Sequence, residues 1–307
     1  MIDGRVSILI PAHKEMFLSN TVSDLLIKSV EDIEVIICLD QYDPVHPIPE
    51  DNRITVIKSD DHIGMRKAIN MAAEKSTGEF LMKCDAHCAF KKGFDKILKS
   101  DCKDNWVVVP RRYSLDPHKW DIKKGKNYID YLTVKPPVIM GNDFSFKGAK
   151  WCGETGLDSE DQYYMERKNK DKKIDDIITF QGSCWFMKKS HFDKIGGLDD
   201  DNFGTGGCEA FEISVKTWLS DGRVVRNKNV WYAHLLLGRK YRLARGGSSK
   251  QKRKSIKQMF SVCFDYWPGK VHRFRWLIDK FGPLDGWPEK WFTDLQIEQL
   301  RESMKWE

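Results

Sequence analysis

A chain of 307 residues has room for one large α/β domain with an appended piece, or for two small domains. With 41% hydrophobic and 31% charged residues it reads as a globular protein, and no apolar run is long enough to span a membrane. The net charge of +6 hides an asymmetry: residues 235–307 carry 16 Lys+Arg and 8 Asp+Glu, the first 234 carry 35 and 37, and Arg239 to Lys257 holds nine basic residues and no acidic one.

The N-terminus, MIDGRVSILIPAHKE, has no basic n-region, apolar h-region or small-residue cleavage site, so a cytoplasmic location is expected. VSILI (6–10) is a short β-branched strand that Pro11 stops. Residues 19–31 form an amphipathic helix with Ser19 or Asn20 as cap. IEVIICLD (33–40) is a second buried strand ending at an acid, and RITVIKS (53–59) a third. GMRKAINMAAEK (64–75) reads as a helix that Gly78 closes. EFLMKCDAH (79–87) is a fourth strand ending in Asp-x-His. Strands alternating with helices predict a parallel sheet with right-handed crossovers, whose ligand sits outside the carboxyl ends of the strands. His13, Asp40 and Asp85 all fall at those ends.

WVVVPRRYSL (106–115) is a further strand. Residues 116–180 are irregular and rich in Lys, Asp, Gly and aromatics, as an inserted substrate-facing region would be. TFQGSCWFMKKSHFDKIGGLDD (179–200) is strand, helix and Gly-Gly stop. CEAFEISVKTWLSDG (208–222) is a helix, and RVVRNKNVWYAH (223–234) ends in a strand. The last 70 residues are basic and Trp-rich, helical from about 290, and no internal repeat occurs. The eight cysteines include no CxxC pair, which favours reduced, buried thiols; a soft-metal site at Cys84 and Cys88 is the alternative.

Asp85-Ala86-His87 is the central chemical signal. A carboxylate and an imidazole at i and i+2 of a strand end can turn to one ion as the chain leaves the sheet. That pair suits Mn²⁺, whereas a carboxylate alone suits Mg²⁺. Such an ion bridges two phosphates and stabilises a leaving diphosphate. His234, ending NVWYAH, is the candidate third ligand. After it, LLLGRKYRLARGG reads either as a loop closing over a diphosphate through Arg239, Lys240, Tyr241 and Arg242, or as a solvated linker.

PAHKE after strand one, an acid ending strand two, GMRKAINMAA, KCDAHC, and a Gly-Gly stop before GCEAFEIS together resemble the GT-A glycosyltransferases, over residues 4–240. The chain is similar both to family 2-like bacterial and phage enzymes and to the polypeptide N-acetylgalactosaminyltransferases, with their Asp-x-His motif. The resemblance implies a Rossmann-like, mostly parallel sheet flanked by helices, with a basic, Trp-rich C-terminal extension. Residues 1–110 would be the nucleotide-sugar half, 111–238 the acceptor half, and 239–307 a basic mobile loop and helical extension. Pro11, Ala12, His13 and Glu15 would line the base and ribose pocket, Asp40 would contact uracil or ribose, and Gly64 and Arg66 would lie near the donor phosphates. Asp85, His87 and His234 would bind Mn²⁺ or Mg²⁺. Glu209 would contact the sugar or the acceptor hydroxyl, and Trp185 would shape the sugar pocket. The inverting enzymes carry a general-base Asp where this chain has Ala210, so a retaining transfer from a UDP-sugar is expected.

The basic run from Arg239, with Arg242 and Arg245, and the strand residues Arg111, Arg112 and Tyr113 motivate an acceptor with phosphates: a hydroxymethylated base in phage DNA, flipped out of the duplex. Protein, lipid-linked and polysaccharide acceptors are the alternatives. A nucleotidyltransferase would want a Gly-rich phosphate loop that PAHKE lacks. A non-catalytic nucleic-acid-binding module leaves Asp85, His87 and Glu209 without a role.

Overall fold

The first strand places branched side chains on both of its faces, and both are covered: Val6, Ile8, Leu9 and Ile10 are fully enclosed. This is how a strand reads inside a parallel sheet with helices on each side. The computed structural model describes residues 1–125, 128–134, 150–152, 171–204, 207–236, 249–264, 267–282, 284, 287 and 289–303. In chain order it runs β1 (Ile2–Ala12), α1 (Leu18–Lys28), β2 (Ile33–Asp40), β3 (Ile54–Ser59), α2 (Gly64–Lys75), β4 (Gly78–Cys84), β5 (Cys88–Phe90), α3 (Phe94–Asp101) and β6 (Trp106–Asp116). The short strands β7 (Asp121–Ile122), β8 (Tyr131–Thr133), β9 (Lys150–Cys152) and β10 (Ile174–Asp176) follow. Then come β11 (Cys184–Lys188), α4 (Lys189–Lys194), α5 (Glu209–Leu219), β12 (Arg223–His234), α6 (Ser249–Phe264), α7 (Phe274–Phe281) and α8 (Asp294–Ser303).

The main sheet has the order β10-β12-β6-β11-β4-β1-β2-β3, with β5 added to β12 and β7 to β6. β1, β2, β3 and β4 are parallel. β11 is antiparallel to both of its neighbours, β4 and β6. The two expected halves therefore share one sheet, and the boundary at residue 110 falls inside β6. No helix among the described residues is long and apolar enough to cross a membrane.

Several local expectations change. Helix α1 starts at Leu18, with Phe17 at its N-cap and no side-chain cap. Leu18 is buried, so burial draws Ser19 and Asn20 into the first turn. Gly78 opens β4 rather than closing α2: a Cβ there would lie 2.6 Å from the Arg5 carbonyl oxygen, so close approach of β1 demands glycine. The irregular segment contains β7 to β10, and Tyr131 and Leu132 join the buried core. The basic run is not all loop, because from Ser249 it is the start of α6. Ile256, Met259, Phe260 and Cys263 make a helical stripe against the core. The C-terminal extension thus packs on α5, with Trp218 against Trp276 and Phe281 at ring distances of 6.4 and 5.4 Å.

Arg66 is the largest charge inside this packing and is 1% exposed. From α2 it pairs with Glu212 of α5, donates to the Gly207 carbonyl at 2.8 Å, and lies over the Phe203 ring at 3.9 Å. The resemblance placed it at the donor phosphates; in the structure its two terminal nitrogens are held by protein partners. Glu212 also receives Lys216 at 2.6 Å. Removing one partner of a buried pair costs about 3–5 kcal/mol. Arg66→Met is expected to lose about 3 kcal/mol in chemical denaturation, the low end because Lys216 still compensates Glu212.

Candidate active site

The carboxyl end of β4 is where the chemistry collects. Asp85 follows the last residue of β4, and its backbone N–H donates to the Ser183 carbonyl at 2.9 Å. That bond turns the chain out of the sheet. His87 lies just before β5, and β5 pairs with β12, so Cys88 stands opposite His234. Residues 147 apart in sequence meet through this strand pair.

The ligand-type atoms converge. His87 Nε2 is 3.0 Å from His234 Nε2, His234 Nε2 is 3.2 Å from Asp85 Oδ2, and His87 Nε2 is 3.9 Å from the same oxygen. For a divalent ion with bonds of about 2.1 Å, adjacent ligand atoms lie roughly 3.0 Å apart and opposite ones roughly 4.2 Å, so two sides of this triangle match adjacent ligands and the third falls between the two spacings. Both histidines are 6% exposed. Glu15 Oε2 accepts from His87 Nδ1 at 3.0 Å, which leaves Nε2 free to face an ion. The resemblance placed Glu15 at the base pocket; the structure puts it behind a histidine. Arg112 Nη2 donates to His234 Nδ1 at 3.1 Å. Arginine only donates, so Nδ1 accepts, and an ion on His234 Nε2 requires this guanidinium to turn away.

Electrostatics separates these groups. Burial opposes charge on Asp85, but Lys83, the His234 hydrogen bond and the neighbouring His87 hold its carboxyl well below the usual range. Burial also pulls His87 down, yet the hydrogen bond and charge of Glu15, with Asp85, raise it overall. His234 is pushed down to about 4, first by burial and then by the charges of His87 and Arg112, against the Asp85 hydrogen bond.

Beneath this cluster lies Lys83, fully buried, which the sequence reading passed over. Its ammonium donates to Asp85 Oδ1 at 2.5 Å and to the Gly182 carbonyl at 2.6 Å, and is 3.9 Å from Glu209 Oε1. A lysine inside the apolar run FLMKC, two residues before Asp85 and so on the same strand face, was the available signal. Glu209 opens α5 next to it, and a Cβ at Gly182 would fall 1.8 Å from Glu209 Oε1. Glycine at 182 is what lets this carboxylate reach the site. Cys208, just before Glu209, takes the left-handed conformation at φ +59. Ala210 follows in the first turn of α5 with no carboxylate to act as base.

The remaining expected residues are placed as follows. Asp40 accepts from the backbone N–H groups of Ile63 and Gly64 at 2.8 and 3.0 Å and meets His62 at 2.9 Å, so its carboxylate caps the start of α2. His13 Nδ1 lies 2.6 Å from the Asp40 carbonyl oxygen, and its ring is 4.5 Å from that of His62. Pro11 and Ala12 end β1 beside Cys38 and Leu39. Trp185 is fully buried, stands opposite Lys83 in the pairing of β11 with β4, and stacks on Phe192 at 5.8 Å. Arg111 is taken by Asp130, with Nη2 donating at 2.6 Å, and Tyr113 packs edge-on to Tyr128 and Trp231. Strand alternation sends Arg111 and Tyr113 to one face and Arg112 to the other, which splits the expected acceptor patch. Arg239, Lys240, Tyr241, Arg242 and Arg245 lie outside the described residues. Cys84 and Cys88 are buried, and burial pushes both thiols up, so they are not ready metal ligands.

Two outcomes follow from this geometry. Mn²⁺ must displace the Nε2 proton of the His87 imidazolium, the charged form that Glu15 and Asp85 favour, so apparent Mn²⁺ affinity, read by calorimetry, should fall about tenfold per pH unit below the raised His87 pKa. Glu15→Gln should shift that limb to lower pH. Gly182→Ala should displace Glu209 and reduce turnover by about a hundredfold, while leaving Mn²⁺ affinity within a factor of about three.

Residues 7–196 match the family model described as Glycosyl transferase family 2. Polypeptide N-acetylgalactosaminyltransferase 3 of Mus musculus is 24% identical over 173 residues, 56% of this chain and 25% of that protein. Probable N-acetylgalactosaminyltransferase 7 of Caenorhabditis elegans is 23% identical over 234 residues, 72% of this chain and 37% of that protein. The chain thus spans about a quarter to two fifths of the length of these relatives. A solved structure, the crystal structure of GalNAc-T7 with UDP, GalNAc and Mn²⁺, superposes with a TM-score of 0.63 at 16% identity, covering 90% of this chain and 56% of that one. Its likeness establishes the GT-A type of fold, and the match over residues 7–196 establishes the lineage: the chain belongs to glycosyl transferase family 2.

Proposed function

We propose that this protein transfers a sugar from a nucleoside-diphosphate sugar to a hydroxyl group, with a divalent metal held by Asp85, His87 and His234. The observation that carries this reading is the convergence of those three ligand atoms beside Glu209 at the carboxyl end of the parallel strands. Mn²⁺ and a UDP-sugar are the favoured pair, because the structural relative carries UDP, GalNAc and Mn²⁺. When bound, the ion supplies Lewis-acid charge to the leaving diphosphate. Around it, Glu15 orients His87, Lys83 keeps Asp85 ionised and lies 3.9 Å from Glu209, and Glu209 faces the sugar. With Ala210 where an inverting enzyme has its base, we read the transfer as retaining.

The Mus musculus relative is named a polypeptide N-acetylgalactosaminyltransferase, which favours a serine or threonine hydroxyl on a protein as acceptor. The hydroxymethylated DNA base rests on the basic run Arg239–Lys257, on Arg111, Arg112 and Tyr113, and on the resemblance to phage enzymes, and stands second.

The test is a thermal-shift panel of nucleotide sugars with and without Mn²⁺, followed by transfer to a serine- and threonine-rich peptide mixture and to hydroxymethylated duplex DNA. A UDP-sugar shift that needs Mn²⁺ and disappears in Asp85→Ala is the expected result. Stabilisation by UDP-sugars that Asp85→Ala leaves intact refutes the metal assignment. Transfer to DNA but not to peptide reverses the acceptor order, and proton NMR of the first-formed product decides its anomeric configuration.

A further inference from the structure

Lys83 has an unusual place for a fully buried ammonium: it sits between the carboxylate that faces the metal position and the carboxylate that faces the sugar. It divides the two oxygens of Asp85. Oδ1 is held by Lys83 at 2.5 Å, while Oδ2 faces His234 at 3.2 Å and His87 at 3.9 Å. Asp85 is therefore left one oxygen for an ion, and that oxygen belongs to a carboxylate whose charge is already shared. Among the described residues, Glu15, Asp85 and Glu209 stand against Lys83 and Arg112 around the cluster. With neutral histidines, that is one net negative charge before a divalent ion arrives. Once Arg112 has turned from His234 to admit the ion, Lys83 still makes the loaded site one unit more positive than it would otherwise be, and so adds attraction for an anionic diphosphate.

We propose that Lys83 is a positioning residue that sets the division of labour between metal and donor: its ammonium weakens metal binding and strengthens binding of the anionic diphosphate to the metal-loaded site. The inference rests on the metal and donor reading above and adds a residue to it. Repulsion between like charges a few ångströms apart, one of them on a fully buried side chain, accounts for the first effect, and attraction to the diphosphate for the second. The Gly182 carbonyl, accepting at 2.6 Å, stops the ammonium from following the donor out of the site.

The two effects have opposite signs, which a merely structural role would not produce. Lys83→Met removes the charge and keeps the length of the side chain, and Lys83→Gln keeps a hydrogen-bond donor without the charge. Mn²⁺ affinity of the donor-free protein is read from free Mn²⁺ by electron paramagnetic resonance. UDP affinity at saturating Mn²⁺ is read by calorimetry, and circular dichroism verifies the fold. Both variants are expected to bind Mn²⁺ about tenfold more tightly and UDP about tenfold more weakly, and Lys83→Arg to move both values back towards the native ones. Should Met fail to fold, the Gln variant carries the same pair of expectations. Weakening of both ligands together, or Mn²⁺ affinity unchanged in a folded variant, overturns the inference. A native protein that binds no Mn²⁺ overturns the underlying metal reading first, and the inference with it.

Discussion

A single buried ion pair sets the position of the helix that opens with Glu209. Arg66 of α2 and Glu212 of α5 are both out of contact with water, and Lys216 shares the carboxylate from within α5. Two uncompensated charges in that interior are far less stable than the pair, so the register between the helices is not free to slide. Because Arg66 also takes the Gly207 carbonyl, the turn before α5 is fixed with it. Glu209, one helical turn before Glu212, is carried to Gly182 and Lys83 as a consequence. The family resemblance had placed Arg66 at the donor; in the structure it ties α2 to the start of α5, the helix that opens with Glu209.

The site itself combines two kinds of support. Backbone pairing of β5 with β12 brings the histidines together, and that pairing needs no charge at all. Side-chain partners behind each ligand then decide proton placement: a carboxylate behind His87, a guanidinium behind His234, an ammonium behind Asp85. The three are chemically different, so the ligands do not respond alike to pH or to an arriving cation. Glu15 and Arg112 oppose one another across the pair, and their balance keeps both imidazoles within one hydrogen-bond length although each is buried.

How much of this was legible beforehand varies by residue, for physical reasons. Asp85, His87 and His234 could be read because polar ligands at the ends of apolar strands have few other uses. Lys83 carried an equally plain mark, a charge within a buried strand at even spacing from Asp85, but a lysine is usually assigned to the surface. Trp185 stands opposite Lys83 on the same face of the sheet, yet its complete burial depends on α4 and could not be read from its motif. Arg111, Arg112 and Tyr113 looked like one basic patch because they are adjacent in sequence, and the pleat divides them. Helix α6 was hidden by composition: its first half is so basic that the stripe Ile256, Met259, Phe260 and Cys263 was masked, though its spacing is helical. Contacts that join distant segments, such as Arg66 with Glu212, leave no local trace in either segment.

The placement of β11 has a consequence for how the chain comes off the ribosome. β4 is complete at Cys84, but the strand that covers its outer edge begins at Cys184. While the intervening residues are being made, β4 presents unpaired backbone groups and an apolar face on an edge that is central in the finished sheet. β6 waits in the same way for β11 on one side and β12 on the other. The nascent N-terminal half is thus a sheet with a sticky margin and no metal triad, since His234 emerges last of the three. Holding that margin apart from other chains until β11 inserts is a demand this topology places on the cell, not on the finished protein.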